Sequence, residues 1–440
     1  MIERLLDEAR RRARGADAIW RRVESTSVSF DWGRLKAAGA TEEAGIGLRV
    51  VKDGRVGTAG TTAVVAAGEL VDRALASADL GATVELALPA AAPLPDVPTH
   101  SDRAAGASLD DLIAIGRALL ERLTRDGCQV SVAIGRDVSE TRVANTAGAH
   151  AAYRTTAVSV SAEIWRFAGD DVLMIGDGWD GCDLPPEDHL DTLVRSITDR
   201  LERALRIVEP PEGALPVVFT PPGLAAILLP VTQALSGKAV LQGISPLVGR
   251  VGEEVFDPRF SVTDDPLRSG RAASRPIDDE CVPSAPLPLV TRGSVRSFIY
   301  DLETAARANT QSTGHGQRGI FSKPVPGYTN IIIGEEARGK GEAVGELGGG
   351  LLGDMQDGLV VDELIGVGQG NVISGAFSHP VALAYRVERG EITGRVKDAA
   401  VAGNTYELLK KIGGFGNDDR WYGARHAPSL LLEGVSVARR

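Results

Sequence analysis

Apolar residues along the chain change period several times, and each change marks an element. The stretch from Ile2 past Leu5 and Leu6 sets apolar positions among charged ones at helical spacing, which predicts an amphipathic first helix. Ala18 to Phe30 shows partial alternation. Ile46-Gly47-Leu48-Arg49-Val50-Val51 then leads through Lys52-Asp53-Gly54-Arg55 into another extended run, and Asp-Gly between two such runs predicts a hairpin. Helical spacing returns from Ala63 to Ala78. Pro, Ala, Asp and Ser crowd Leu88 to Ala107, which predicts an exposed crossing segment. Ser108, with Asp111 three positions on, approaches a capping box and opens a helix reaching about Thr124.

Between Gln129 and Trp179 the period becomes two in runs rich in β-branched residues, among them Thr156, Val158 and Val160. Several antiparallel strands are expected there. Pro185-Pro186-Glu187-Asp188 begins a helix to about Leu205, because proline is tolerated and acids are favoured in a first turn. Pro210-Pro211-Glu212-Gly213 reads as the main boundary. The second half opens with a buried strand, Pro216 to Phe219, and an apolar helix to about Leu235. Gly/Pro-rich segments follow, with hairpins turning at Arg292-Gly293 and Arg389-Gly390. The expectation is an α+β protein, with an N-terminal α/β domain holding an antiparallel sheet over 1–210 and a mostly antiparallel β domain over 211–440.

Composition narrows the function. A chain of 440 residues, 43% hydrophobic and 24% charged, has ample material for buried cores. Its formal charge of -11 argues against nucleic acid as main partner, since phosphate binding needs a basic face. The densest basic group, Arg10-Arg11-Arg12 with Arg14, sits on the first helix, where it reads as a solvated face. Cys128, Cys182 and Cys281 form no CxxC pair, which fits a reducing compartment. The N-terminus shows no signal-peptide pattern, and the most apolar run, Leu224 to Val231, falls far short of the roughly 20 residues of a membrane helix. A cytoplasmic location without membrane partners is expected.

Candidate chemistry is sparse. The six histidines, His100, His150, His189, His315, His379 and His426, are each isolated, and no HExxH or HExxxH pattern occurs, so no metal is expected in this chain. Asp278-Asp279-Glu280-Cys281 is either a carboxylate cluster for metal or acid/base work or a turn whose Asp side chains accept backbone N–H groups. Acidic neighbours disfavour a Cys281 thiolate. Ser312-Thr313-Gly314-His315-Gly316 is a small-residue loop able to approach a ligand or carry a surface histidine. Gly348-Gly349-Gly350 and Gly368-Gln369-Gly370 lack the strand-to-helix setting of a nucleotide fingerprint, and no Walker lysine or GxSxG elbow is present.

Several segments together resemble the TldD/PmbA family. They are Gly45 to Val50 with Gly57, then Arg275-Pro276-Ile277-Asp278-Asp279-Glu280 with Pro283, and then Tyr300-Asp301 with Ser312-Thr313-Gly314. Gly375-Ala376-Phe377-Ser378, Ala402-Gly403-Asn404 and Gly416-Asn417-Asp418 complete the set. In the family's metal-carrying subunits the helix after the first strand of the second half holds HExxxH. Here that stretch reads Leu229-Pro230-Val231-Thr232-Gln233-Ala234-Leu235, so the chain resembles the PmbA (TldE) side, and Cys281 stands where the family usually has glycine.

The resemblance implies a dimer enclosing a chamber, with zinc in a TldD-like partner and unfolded peptide as substrate. This chain would then be a non-catalytic substrate-binding subunit, paired with that partner or with itself through its second half. Candidate substrate contacts are Asp278, Asp279, Glu280, Ser312, Thr313, Gly314, His315, Phe377 and Ser378, with the acid triplet and the Ser312 loop expected side by side on the chamber wall. Two other readings stay open: a homodimeric amide-processing enzyme using Asp278, Glu280 or His315, and a non-hydrolytic peptide-binding adaptor.

Overall fold

The computed structural model describes residues 2–334, 347–348 and 350–440. Six strands, β1 (Gly15–Asp31), β2 (Arg34–Lys52), β3 (Arg55–Thr61), β4 (Cys128–Asn145), β5 (His150–Ala168) and β6 (Asp171–Gly181), form one antiparallel sheet in the order β3-β2-β1-β4-β5-β6. Helices α1 (Ile2–Arg10) and α2 (Ala67–Asp79) cover one end of one face, packing on Ala16, Ala18, Leu48 and Val50. After the one-turn α3 (Asp102–Gly106), α4 (Leu109–Leu123) and α5 (Glu187–Ala204) cover the other end, on Val28, Phe30, Ile134 and Ile164. α4 starts where expected, with Ser108 and Asp111 closing a full capping box.

Strand alternation sends the neighbouring side chains to the opposite face. Close to the start of β1, Asp17, Ile19 and Arg21 there meet the second half of the chain. Farther along, that face is open. Cross-strand rows Gly39, Ser27, Gly135, Ser159 and Ala37, Ser29, Ala133, Ser161, Gly178 line it with small side chains.

In the second half, one sheet runs β15 (Asp357–Leu364), β8 (Gly213–Phe219), β22 (Leu430–Arg439), β18 (Ala399–Asn404), β16 (Ala376–Glu388), β17 (Glu391–Val396), β7 (Ile207–Val208), with β19 (Ile412–Phe415) beside β22. β16 is long enough to pair with β18 through its first residues and with β15 through its last, which closes the sheet on itself. A second sheet runs β11 (Ser294–Val295), β10 (Leu287–Thr291), β9 (Val262–Asp264), β14 (Ile331–Ile333), β21 (Arg425–Ala427), β20 (Arg420–Tyr422). A two-stranded piece, β12 (Gly316–Gln317) with β13 (Val325–Pro326), stands apart. Pairing is antiparallel except β15 with β8, β17 with β7 and β14 with β21. Helix α6 (Ala225–Ala234) and the short α7 (Gly237–Leu241), α8 (Leu302–Arg307) and α9 (Thr405–Leu408) pack around these sheets.

Four hairpins share one turn chemistry. Trp32-Gly33, Asp53-Gly54, Arg292-Gly293 and Arg389-Gly390 each place both central residues at positive φ, between 48° and 83°, as a two-residue turn between right-twisted strands requires. The first was not foreseen, because tryptophan seldom takes that conformation. Part of the expected crossing segment, Thr99 to Ser101, bonds along β5 at Arg154 and Thr156 before α3 begins. The chain boundary near Pro210 does not divide the cores. Val218, Val360, Leu383 and Tyr385 join the cluster under α4 and α5, and the Tyr385 hydroxyl donates to the Arg200 carbonyl at 3.0 Å.

Candidate peptide-binding site

The acid triplet forms a tight turn pressed against the first sheet. Asp278 Oδ1 accepts the N–H groups of Glu280 (2.9 Å) and Val282 (2.8 Å), and its Oδ2 accepts Gly316 N–H at 2.9 Å. This is the backbone-capping alternative of the two weighed from sequence. Asp279 accepts from Arg21 at 3.0 Å and from Arg318 N–H at 2.9 Å. Glu280 takes Arg49 at 2.5 Å and Leu302 N–H, the start of α8, at 2.6 Å. Asp17 on β1 receives Arg49 and Arg318, each at 2.7 Å. Arg49 is 2% exposed and Glu280 not at all, so these bonds join the halves out of water.

Carboxylates outnumber guanidiniums in this cluster. Asp17, Asp278, Asp279, Glu280 and Asp301 face Arg21, Arg49, Arg275 and Arg318. Burial pushes Asp278 up to about 6, against Arg275 and three backbone donors. Burial also pushes Glu280 up to about 8, with Asp278 and Asp301 adding to it and Arg49 opposing. Cys281 stands at φ 67°, a left-handed conformation that glycine adopts without strain, and burial raises its thiol pKa, so it is no nucleophile.

The Ser312 loop does lie beside the triplet, through Gly316, whose added Cβ would come within 2.4 Å of Glu280 Oε2. Its hydroxyls are engaged. Thr313 Oγ1 accepts Tyr300 N–H at 2.8 Å, and Ser312 Oγ donates to the Tyr300 carbonyl at 3.1 Å. Gly314 takes φ 74°, over the Pro283 carbonyl. His315, expected on the chamber wall, is 1% exposed, with Nδ1 2.8 Å from the Thr313 carbonyl and Nε2 3.0 Å from Asp264 Oδ2. The triplet and His315 are therefore internal anchors within the single chain.

Phe377 and Ser378 belong elsewhere. They open β16 and line a cavity of about 290 Å³ over α6, with Leu229 and Pro230 of the helix, Ile365 to Gln369, Val372 and His379. The Phe377 and His379 rings stack at 6.1 Å, and burial lowers the His379 pKa, keeping its imidazole neutral near pH 7. Gly366, Gly368 and Gly370 at positive φ shape the loop on the opposite rim. This loop went unrecognised from sequence, where its glycines suggested only a weak nucleotide signal. Gly349 of the other glycine run lies outside the described residues. Pro230 leaves no helical N–H at its position, and the Tyr406 hydroxyl lies 3.1 Å from the Pro230 carbonyl and 2.9 Å from that of Ile373, fixing this wall.

A second cavity of about 280 Å³, between α5, β6 and the second half, has many charged residues in its lining. Its floor is an ion-pair chain in which Asp177 takes Arg420 at 2.9 Å and Arg200 at 3.3 Å, while Arg200 reaches Asp362 at 2.7 Å. Burial opposes ionisation there, yet Arg420 and Arg200 hold Asp177 down to about 2.

These features define a class: a two-part α+β scaffold with a cavity lined largely by apolar residues over the helix that follows the first long strand of the second half. Family profiles match the chain in three consecutive pieces, described as PmbA/TldA metallopeptidase domain 1 (residues 16–78), central domain (102–205) and C-terminal domain (212–439). The chain belongs to the PmbA/TldA metallopeptidase family. A Methanothermobacter thermautotrophicus metalloprotease is 28% identical over 246 residues, covering 55% of this chain and 52% of that protein. The Haemophilus influenzae metalloprotease TldD homolog is 30% identical over 211 residues (47% and 42%), and the PmbA homolog of that organism 25% over 224 (51% and 46%). The chain thus spans about half the length of the curated relatives it matches. Crystal structures of TldE from Thermococcus kodakarensis (TM-score 0.88) and of a Thermotoga maritima protein proposed to modulate a DNA gyrase (TM-score 0.87) share the fold, each at 24% identity over 99% of both chains.

The family implies a metal, and the residues over α6 do not fit one. Zinc needs His, Cys or carboxylate donors converging on one point, whereas Leu229, Pro230, Ile365, Val367 and Val372 supply none and His379 stands alone among them. Among the described residues no group of three His, Cys, Asp or Glu side chains is placed to hold a metal ion.

Proposed function

We propose that this chain is the metal-free, substrate-holding subunit of a two-subunit peptidase, acting on unfolded peptide beside a TldD-like subunit that brings the zinc. The observation that carries this reading is the apolar cavity over α6, formed where the resemblance puts HExxxH in metal-bearing subunits. It suits an apolar side chain of an extended peptide, whose backbone reaches Ser378 and the glycine loop. The open sheet face of Ser27, Ser29, Ser159 and Ser161 with Gly39 and Gly135 adds a wall that offers little apolar surface to hold a moving chain.

Leu241, Ile244, Val248 and Val251, all more than a third exposed on and after α7, give the second half an apolar surface suited to the partner subunit. A pairing there would bury well above about 1,600 Å² in total. The amide-processing alternative loses support, because Asp278, Glu280 and His315 are buried and occupied. Among the described residues no helix is long and apolar enough to cross a membrane, and all three cysteines are free, in keeping with a reducing cytoplasm.

The test is metal content and activity measured together. Elemental analysis of the purified chain should find no stoichiometric zinc, and unfolded peptide should be cleaved only after a metal-bearing relative is added. Tightly held zinc with chelator-sensitive cleavage by the chain alone would overturn the reading. Binding without cleavage in every mixture would favour the adaptor.

A further inference from the structure

The first sheet covers its exposed edges unevenly. β6 pairs with β5 only from Val158 onward, and the free stretch before it is closed by Thr99 to Ser101, with Thr156 N–H donating to the Thr99 carbonyl at 2.9 Å. β3 pairs with β2 only from Ile46 onward. No segment among the described residues pairs with the outer side of β2 from Arg34 to Ala44, and every side chain there is exposed. An edge of this length with unpaired backbone groups is a template for another strand.

The charges along that edge are segregated. Lys36, which also reaches Asp31 at 2.8 Å, lies at one end, and Glu42, which also takes Arg22 at 2.8 Å, lies with Glu43 at the other; both pairs are solvent-exposed and weak, and only Ala37-Ala38-Gly39-Ala40-Thr41 stands between them. Side chains this small let a second backbone approach, and they leave register to the charges. We propose that this edge pairs antiparallel with the same edge of a second copy of the chain, extending the sheet across both. With the two-fold axis at Gly39, Lys36 of each copy faces Glu42 of the other, the two sharing a face because strand alternation pairs only residues of like parity across such an axis. Parallel pairing in register would set like charges opposite one another, which is unfavourable. The self-complementarity selects a second copy over a peptide of arbitrary sequence. Nothing in it depends on metal or on hydrolysis.

A cysteine at Gly39 reads the contact directly. An added Cβ there meets nothing within 4 Å, and the same holds at Gly106, the exposed last residue of α3, which serves as control. Under mild oxidation full-length Gly39→Cys should form intermolecular disulfides at least about tenfold faster than Gly106→Cys, because pairing raises the local thiol concentration. Adding Lys36→Glu should slow this about tenfold, and adding Glu42→Lys as well should restore it. Equal rates for the two cysteines, or a Gly39→Cys rate indifferent to the charge changes, would overturn the proposal. So would hydrogen exchange in which residues 37–41 are protected by added unfolded peptide but not by raising the concentration of the chain.

Discussion

The acid triplet and the α6 cavity are opposites in how they use their side chains. Around Glu280 the acids and guanidiniums pair with one another inside the chain, and these buried pairs tie β1 and β2 to the second half. Over α6, Leu229, Ile365 and Val367 line a cavity that no described residue fills. The residues most conspicuous in sequence are committed to structure, and the surface left for a ligand is made of ordinary apolar ones. A buried charge is tolerable only when bonded, so a dense acidic run tends to be used up by the fold, whereas an apolar hollow keeps its binding free energy for something else.

The strongest way to break this contrast is to remove one charge from the cluster. Arg49→Ala takes the guanidinium from buried Glu280 and one of the two from Asp17, and should cost about 3–5 kcal/mol, or abolish soluble expression. Denaturant unfolding measures it. A loss under about 1 kcal/mol would mean that the ion pairs are not what joins the halves.

A smaller effect of the same cluster follows pH. Glu280 and Asp278 have folded-state pKa values near 8 and 6, above the ordinary carboxylate range. A carboxyl raised in this way binds its proton more tightly when folded, so its stabilising contribution is complete below the ordinary range and is lost as pH rises through the folded value. Stability of the wild type should therefore fall between about pH 5 and 8 more steeply than that of Glu280→Gln. Identical slopes in urea titrations would remove the raised Glu280 from the account.

How far the sequence shows this contrast depends on the kind of signal. Capping chemistry at Ser108, the Asp53-Gly54, Arg292-Gly293 and Arg389-Gly390 turns and the missing ligands on α6 are local facts, readable because each needs only neighbouring residues. Closure of the eight-stranded sheet by β16 is not local, since it depends on one strand serving two partners at different depths. Nor is the burial of His315, which follows from Asp264 about fifty residues earlier. The triplet and the Ser312 loop come together through a short return of chain, whereas Phe377 and Ser378 sit in another cavity that no spacing rule connects to them.

On the cavity side, Leu229→Gln should leave the thermal midpoint unchanged while lowering processing of unfolded peptide by the mixed assembly about tenfold, as for one misplaced polar group in an apolar pocket. The same change in activity from Thr313→Ala, with stability intact, would erase the distinction between the two regions.

The smallest effect sharpens the contrast inside the cluster itself, at Cys281. Its side chain is 1% exposed and touches the group formed by Ile19, Val143, Ala149 and Ile277, while its backbone holds φ 67°. Cys281→Ala removes the sulfur and keeps a Cβ in a conformation that costs an L-residue about 1–2 kcal/mol. Cys281→Gly removes the same sulfur and releases that strain, at the cost of about 0.5–1 kcal/mol in chain entropy. Both variants lose the packing of the thiol, so their difference isolates the backbone. Glycine should be more stable than alanine here by about 0.5–1 kcal/mol, the reverse of the order within helices or strands. Equal midpoints for the two variants, or alanine ahead, would mean that the turn relaxes away from the left-handed conformation once the thiol is gone. In that case Asp278, through its bonds to Glu280 and Val282, would not be what fixes the shape of the cluster.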